Sequence, residues 1–267
     1  MKRAGLCVLI AVTALCVAPS AWAQESEQEL FDKGVAALGE GSYERAIAVF
    51  EALADRGFAH PDAAYNRGLA YLARVRAHAE HPGDLGRSAA GFEECLQQRP
   101  SDADAELAAD LVRAEVARRR AVRGGPAVVQ ARPSIDRAIV GLAPERIWAL
   151  CAMVASLLLA AGLLLRRFSR PAPRLAALIA VPIGAIGLLV FGVVTLTARH
   201  LRHTTTAAVV VTPEVRLLDE RGVALNSEPV PEAARVEVIE RRGALSRIRY
   251  GSGEGWAGSS GLRLMPR

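Results

Sequence analysis

The stretch 147-IWALCAMVASLLLAAGLLL-165, followed by 175-LAALIAVPIGAIGLLVFGVVTLTA-198, decides the architecture of this 267-residue chain. The two runs hold 19 and 24 residues without one charged side chain. As helices they reach about 28 and about 36 Å, enough to cross the ~30 Å apolar core of a bilayer. The longer run implies tilt or a bend, and Pro182 inside it can supply the bend. Between them, 166–174 carries Arg166, Arg167, Arg170 and Arg174 and no acid. Short arginine-rich loops stay on the cytoplasmic side. The reading is a two-span hairpin at 147–165 and 175–198, joined by a cytoplasmic loop, with both flanking domains outside. Ala152, Ser156 and Ala160 on the first span, and Ala176, Ala180 and Gly184 on the second, recur every four residues. They predict the two faces that meet.

Upstream, Lys2 and Arg3, the apolar run 6–17 and Ala21-Trp22-Ala23 read as a signal peptide over 1–23. An exported N-terminal domain agrees with the topology that the arginine-rich loop sets. The formal net charge is +5, but residues 24–123 hold 13 basic and 18 acidic groups, whereas 124–204 hold 9 and 2. The positive excess therefore flanks the apolar runs. It is not a cationic stripe on a folded domain, so no nucleic-acid partner is expected. Hydrophobic residues make up 51% of the chain, too many for a disordered protein. Cys95 and Cys151, left after the leader, fall in different regions, so no disulfide framework is expected. Neither span carries an ionisable group of the kind pumps and transporters use.

Residues 24–123 read as helices broken at Gly39/Gly41, Gly57, Pro82-Gly83 and Pro100-Ser101. Gly34 and Gly68 lie 34 residues apart, while Phe50 and Phe92 lie 42 apart, so a second copy of a repeat carries about eight extra residues near 74–82. Ser101-x-x-Asp104 predicts a capped start for a closing helix that runs to about Arg123. Gly68-x2-Tyr71, Ala46-x3-Phe50 and Phe92…Pro100 resemble the tetratricopeptide repeat. Leu30, Ala64, Ala37 and Ser88 depart from its pattern. The resemblance implies helix pairs in which Gly and Ala sit where two helices nearly touch and Phe fills the space between neighbouring pairs. It also implies a peptide-binding concave face carrying Phe31, Val35, Leu38, Tyr65, Asn66, Leu69 and Leu72, several of which read equally well as core. Residues 124–146, with Gly124-Gly125-Pro126, Pro133 and Pro144, read as a linker.

Residues 205–267 change character. Segments 209–212, 215–218, 235–240 and 246–250 read as strands. Turns fall at 220–222, 242–243 and in the glycine-rich 251–261 region. Val215-Arg216, Arg235-Val236-Glu237-Val238, Arg247-Ile248-Arg249 and Gly253-Glu254-Gly255-Trp256 resemble a bacterial SH3-like domain. Such domains often bind cell-wall peptide or glycan, and Trp256 is either the contact or a core residue. His78-Ala79-Glu80-His81 is not a zinc-protease motif, and no nucleophile elbow or phosphate loop is present. An enzyme, a cofactor and a metal site are therefore not expected.

The fold class is a multidomain membrane protein: all-α tetratricopeptide helical repeats, a two-helix transmembrane hairpin and a small all-β SH3-like barrel. This order resembles the Bat E type membrane protein of bacterial aerotolerance operons. The resemblance implies a scaffold outside the cytoplasmic membrane whose partners are other membrane or periplasmic proteins, among them von Willebrand-type membrane proteins. A cell-wall-binding sensor is the alternative reading.

Overall fold

A computed structural model describes residues 26–131, 138–140, 142–167 and 171–266. The signal-peptide reading at 1–23 and the loop's Arg170 lie outside these residues. The protein is mostly helical, with a small antiparallel β domain and two helices long and apolar enough to cross a membrane. It divides into two compact units, one ending at Ala59 and the other starting at His60.

The first unit is a helical hairpin of α1 (Glu27–Gly39) and α2 (Tyr43–Asp55). Ser26 caps α1 in a reciprocal box: its hydroxyl accepts from the Glu29 N–H at 3.2 Å, and its own N–H donates to the Glu29 carboxylate at 3.0 Å. A Cβ built on Gly34 would stand 2.8 Å from the Phe50 ring. The glycine therefore makes the room that the phenylalanine fills.

The second unit begins with α3 (Pro61–Arg76), α4 (Asp84–Gln98) and α5 (Ala103–Val122). Here Gly68 meets Phe92 at the same 2.8 Å. In both hairpins the phenylalanine lies over the glycine of its own helix pair, and Phe92 also shares a core with Val112 on the following helix. Ser88, which departs from the repeat pattern, donates its hydroxyl to the Gly68 carbonyl at 2.8 Å. Only Glu40 to Ser42 separates α1 from α2, whereas the loop between α3 and α4 runs from Ala77 to Gly83 and holds about half of the extra residues; most of the others lengthen α3 beyond Gly68. The cap of α5 is Asp102, accepting from the Ala105 N–H at 3.0 Å. The cap thus falls one residue after the expected Ser101.

The two helices long and apolar enough to cross a membrane are α6 (Glu145–Arg167) and α7 (Pro171–Thr204). Their apolar stretches have mean hydropathies of 2.4 and 2.6 and are mostly uncovered by protein. Close contacts join Ala155 to Gly187, Leu159 to Gly184 and Gly162 to Val181, an antiparallel register. The expected small-residue faces are corrected here. Ser156, Ala160 and Ala176 are exposed, and the seam on α6 runs through Ala155, Leu159 and Gly162. Of the predicted residues Gly184 and Ala180 lie in the seam: an added Cβ on Gly184 would lie 2.6 Å from the Leu159 nitrogen, and one on Gly162 would lie 3.1 Å from the Ala180 Cβ. The register makes a direct prediction. A Cβ on Gly187 would lie 3.1 Å from that of Ala155, so Ala155→Cys with Gly187→Cys, in a Cys151→Ser background, should cross-link in membranes on mild oxidation. Absence of the cross-link on reducing and non-reducing gels would contradict the register.

After α7 only Thr205 precedes β1 (Thr206–Val210). The β domain continues with β2 (Glu214–Val215), β3 (Val230–Pro231), β4 (Arg235–Arg242), β5 (Leu245–Tyr250), β6 (Gly253–Gly258) and β7 (Leu262–Leu264). Five strands pair antiparallel in the order β6-β5-β4-β1-β7, while β2 and β3 form a separate pair. Alternation predicted β4 and β5 well, since Val236, Val238, Ser246 and Ile248 point inward. The expected strand at 215–218 is shorter, with Leu218 contributing isolated bridges to Ala224 and Trp256. The expected turn region 251–261 is corrected: 253–258 is a strand. Its glycines serve a crossing, because a Cβ on Gly255 would lie 2.9 Å from the Leu217 side chain and 3.1 Å from the Leu218 carbonyl.

Candidate functional site

The most constrained surface in the second unit is the seam where the first turn of α4 meets the barrel. Gly83 caps α4 with φ of 89°, a conformation that favours glycine. A Cβ on Gly83 would stand 2.1 Å from the Val211 carbonyl, and one on Gly86 would stand 2.4 Å from the Val210 carbonyl. Backbone therefore lies directly on backbone, and no other residue fits at either position without a shift. Helix starts leave N–H groups without intrahelical partners. Here one is taken from across the seam, since the Gly86 N–H donates to Glu232 Oε1 at 2.8 Å. A residue of the β domain thus caps a helix of the helical part of this unit.

Two further ties cross the same seam. Glu93 on α4 lies 3.5 Å from Arg235 on β4 and also binds Arg113 on α5. The Tyr250 hydroxyl donates to the Val129 carbonyl at 2.8 Å, and Arg120 donates to the Val128 carbonyl at 2.8 Å. Val129 is buried, so the start of the segment expected to be a linker is strapped between helices and barrel. Leu85, Ala89, Phe92 and Val112 share one apolar core with Val210, Val230, Ala234 and Val236.

Beside the seam opens a cavity of about 310 Å³, walled by Glu80, His81, Arg119, Arg120, Arg123 and Glu232 among others. Asp84 lies under it, fully buried, and accepts from Arg74 Nε at 2.9 Å, Arg74 Nη2 at 2.6 Å and the His81 N–H at 2.8 Å. Arg119 donates to Glu80 at 2.8 and 3.0 Å. Burial pushes the Glu232 carboxyl above its ordinary value of 4.5. The Gly86 N–H and Arg119 oppose that rise, while Asp84 and Glu80 add to it. Glu115, by contrast, is held down at about 2, chiefly by its bond to Arg118.

A raised carboxyl pKa sets the sign of a pH effect. The contribution of protonated Glu232 to the closed seam is fully present below pH 4.5 and fades as pH rises through the raised value. Hydrogen exchange in the first turn of α4, corrected for intrinsic rates, is therefore expected to lose protection as pH rises from 4.5 through the raised value. Glu232→Gln should flatten that dependence; an unchanged profile in the variant would assign it to another group.

The groove residues divide between the units, each described by itself. On α1, Phe31 and Leu38 are half-buried and Val35 is 42% exposed. Phe31 packs edge-on against Phe50 with ring centres 6.2 Å apart. On α3, Tyr65, Asn66 and Leu69 are half-buried, and Tyr65 leans on Phe92 at 5.4 Å. Leu72 is corrected: it is 8% exposed and belongs to the core, so it offers no contact to a guest. Trp256 is corrected as well. It is 5% exposed on β6, held by paired backbone bonds with Leu218 at 2.8 Å, and the Arg242 guanidinium covers its ring at 4.8 Å. Cys95 is buried, and burial lifts its thiol to about 11, which makes it a packing residue and not a nucleophile.

Gly83, Gly86 and Glu232 were not singled out from the sequence as site residues. The one signal for them was the paired glycines in the first turn of a helix, where alanine would be preferred on propensity alone. Comparison of the chain with family models, curated proteins and solved structures finds no match.

Proposed function

We propose that this chain is a membrane-anchored protein–protein interaction scaffold on the outer side of a bacterial cytoplasmic membrane. In this reading helices α3 to α5 and the SH3-like domain, which pack on one another within the second unit, act together on the outer side. The observation that carries it is the seam. Residues before the first apolar helix and residues after the second pack on one another, so the chain between them returns to the face it left, and the two helices cross together or not at all. The uncharged helices and the arginines at 166 and 167 support the same topology. The resemblance to the Bat E type suggests a place in an envelope-stress or aerotolerance complex, with von Willebrand-type membrane proteins among the partners.

Cross-linking of the intact chain in membranes, followed by mild-detergent purification, tests the scaffold reading. Val35→Asp on α1 and, in a separate chain, Asn66→Ala on α3 alter partly exposed positions, and each should deplete a defined subset of partners. Partner sets identical to that of the unaltered chain would remove the corresponding helix face from the reading. An alkaline phosphatase fused after the C-terminus should be active, and an inactive fusion at normal abundance would reverse the topology. The alternative, cell-wall binding through the barrel, has lost Trp256 as its contact.

A further inference from the structure

The two membrane helices touch closely at Gly162–Val181 and then leave a pocket of about 530 Å³ at their arginine-bearing end. Arg166, Ala177, Leu178, Val181 and Pro182 line it. Two features of this lining ask for a ligand. The first is charge: Arg166 stands at the end of an apolar span, and the segment 166–174 supplies no acid to neutralise it. The second is the backbone. Pro182 lies inside α7 and has no N–H, so it deprives the Leu178 carbonyl, four residues earlier, of its regular helix partner. In an apolar layer such a carbonyl costs free energy unless a donor reaches it. Both residues of this interrupted pair are on the pocket wall.

We propose that this pocket binds one anionic phospholipid whose headgroup carries a hydroxyl, the phosphatidylglycerol type. The phosphate sits on the Arg166 guanidinium through charge-assisted bonds. The headgroup hydroxyl donates to the Leu178 carbonyl, and the first acyl carbons lie along Ala177 and Val181. A basic pocket between spanning helices at the cytoplasmic level suits an anionic headgroup. The inference rests on the reading of α6 and α7 as membrane spans.

The test uses the full chain in vesicles of phosphatidylglycerol and phosphatidylcholine with matched acyl chains. Carbonate washing comes first: a chain that washes off fails the membrane reading itself. A retained chain is released into mild detergent, and its bound lipids are read by native mass spectrometry. Phosphatidylglycerol adducts should exceed phosphatidylcholine adducts about tenfold, the size of one good charge-assisted contact. Arg166→Gln should bring the two to parity, while Arg167→Gln, which removes the same charge outside the pocket lining, should leave most of the preference. Pro182→Ala restores an N–H to Leu178 and should lower phosphatidylglycerol retention with Arg166 intact; unchanged retention would overturn the hydroxyl contact. Parity in the unaltered chain, or an equal loss from Arg167→Gln, overturns the site in favour of diffuse charge. Competition by free glycerol phosphate as strong as that by the lipid overturns the lipid in favour of a bare phosphate site.

Discussion

Gly91→Val is expected to unfold the helical part of the second unit at temperatures where the unaltered chain is intact. A Cβ at this position would stand 2.7 Å from the Gly68 nitrogen and 2.8 Å from both the Ala64 carbonyl and the Gly68 Cα. All three are backbone atoms of α3, so no side chain can turn away to make room. The helices must separate, and with them Phe92 must leave the space that Gly68 provides. The cost is about 3 kcal/mol or more, at the upper end for overpacking. That corresponds to a fall in melting midpoint of roughly 6–12 °C for a unit of this size, followed by circular dichroism in detergent. Gly39→Ala provides the contrast. Nothing lies within 4 Å of a Cβ there, and the change should be neutral or gain a few tenths of a kcal/mol in helix propensity. A melt for Gly91→Val within 2 °C of the parent, roughly 1 kcal/mol, would mean that α3 and α4 do not touch as described.

Asp84→Ala is the second large effect, and its cause is charge. The carboxylate has no solvent exposure and holds both Arg74 donors, the His81 N–H and, at 3.6 Å, Arg87. Its removal leaves the Arg74 guanidinium, which is almost as deeply buried, without those two bonds. Breaking a buried pair from one side costs about 3–5 kcal/mol, whereas replacing both members by apolar residues of similar size is often close to neutral. Asp84→Ala should therefore be far less stable than Asp84→Leu combined with Arg74→Met. The double variant should recover most of the loss in urea titrations. If the single and double variants were equally unstable, the deficit would belong to packing and not to the stranded cation.

The sequence was most informative where one physical term dominates locally. The apolar helices over 147–165 and 175–198 are legible because water excludes such runs whatever surrounds them. The hairpins are legible because Gly34 with Phe50, and Gly68 with Phe92, repeat one steric solution. Strands β4 and β5 show through Val236, Val238 and Ile248, which alternate with charged neighbours. Legibility ended where a distant segment sets the local choice. The glycines of β6 look like a turn until Leu217 and Leu218 are seen crossing them. Gly83 and Gly86 look like a helix start, yet their reason is the end of strand β1 at Val210 and the next residue, Val211, more than a hundred residues downstream. The same holds for the small residues of the hairpin. A four-residue spacing marked several candidate faces, and only packing selected Ala155, Leu159 and Gly162 over Ser156 and Ala160. Leu72 and Trp256 were placed at binding surfaces by analogy with repeat and barrel families, while their own surroundings enclose them.

The attachment of the barrel has a mechanical consequence. Helix α7 is 34 residues long, about 51 Å, against an apolar layer of about 30 Å. In the proposed topology the helix outreaches the apolar layer and enters β1 after a single residue, so it would work as a mast and not as a leash. A swivel or lean of this mast would be passed to the chain at Val210 and Val211, which lies on Gly86 and Gly83.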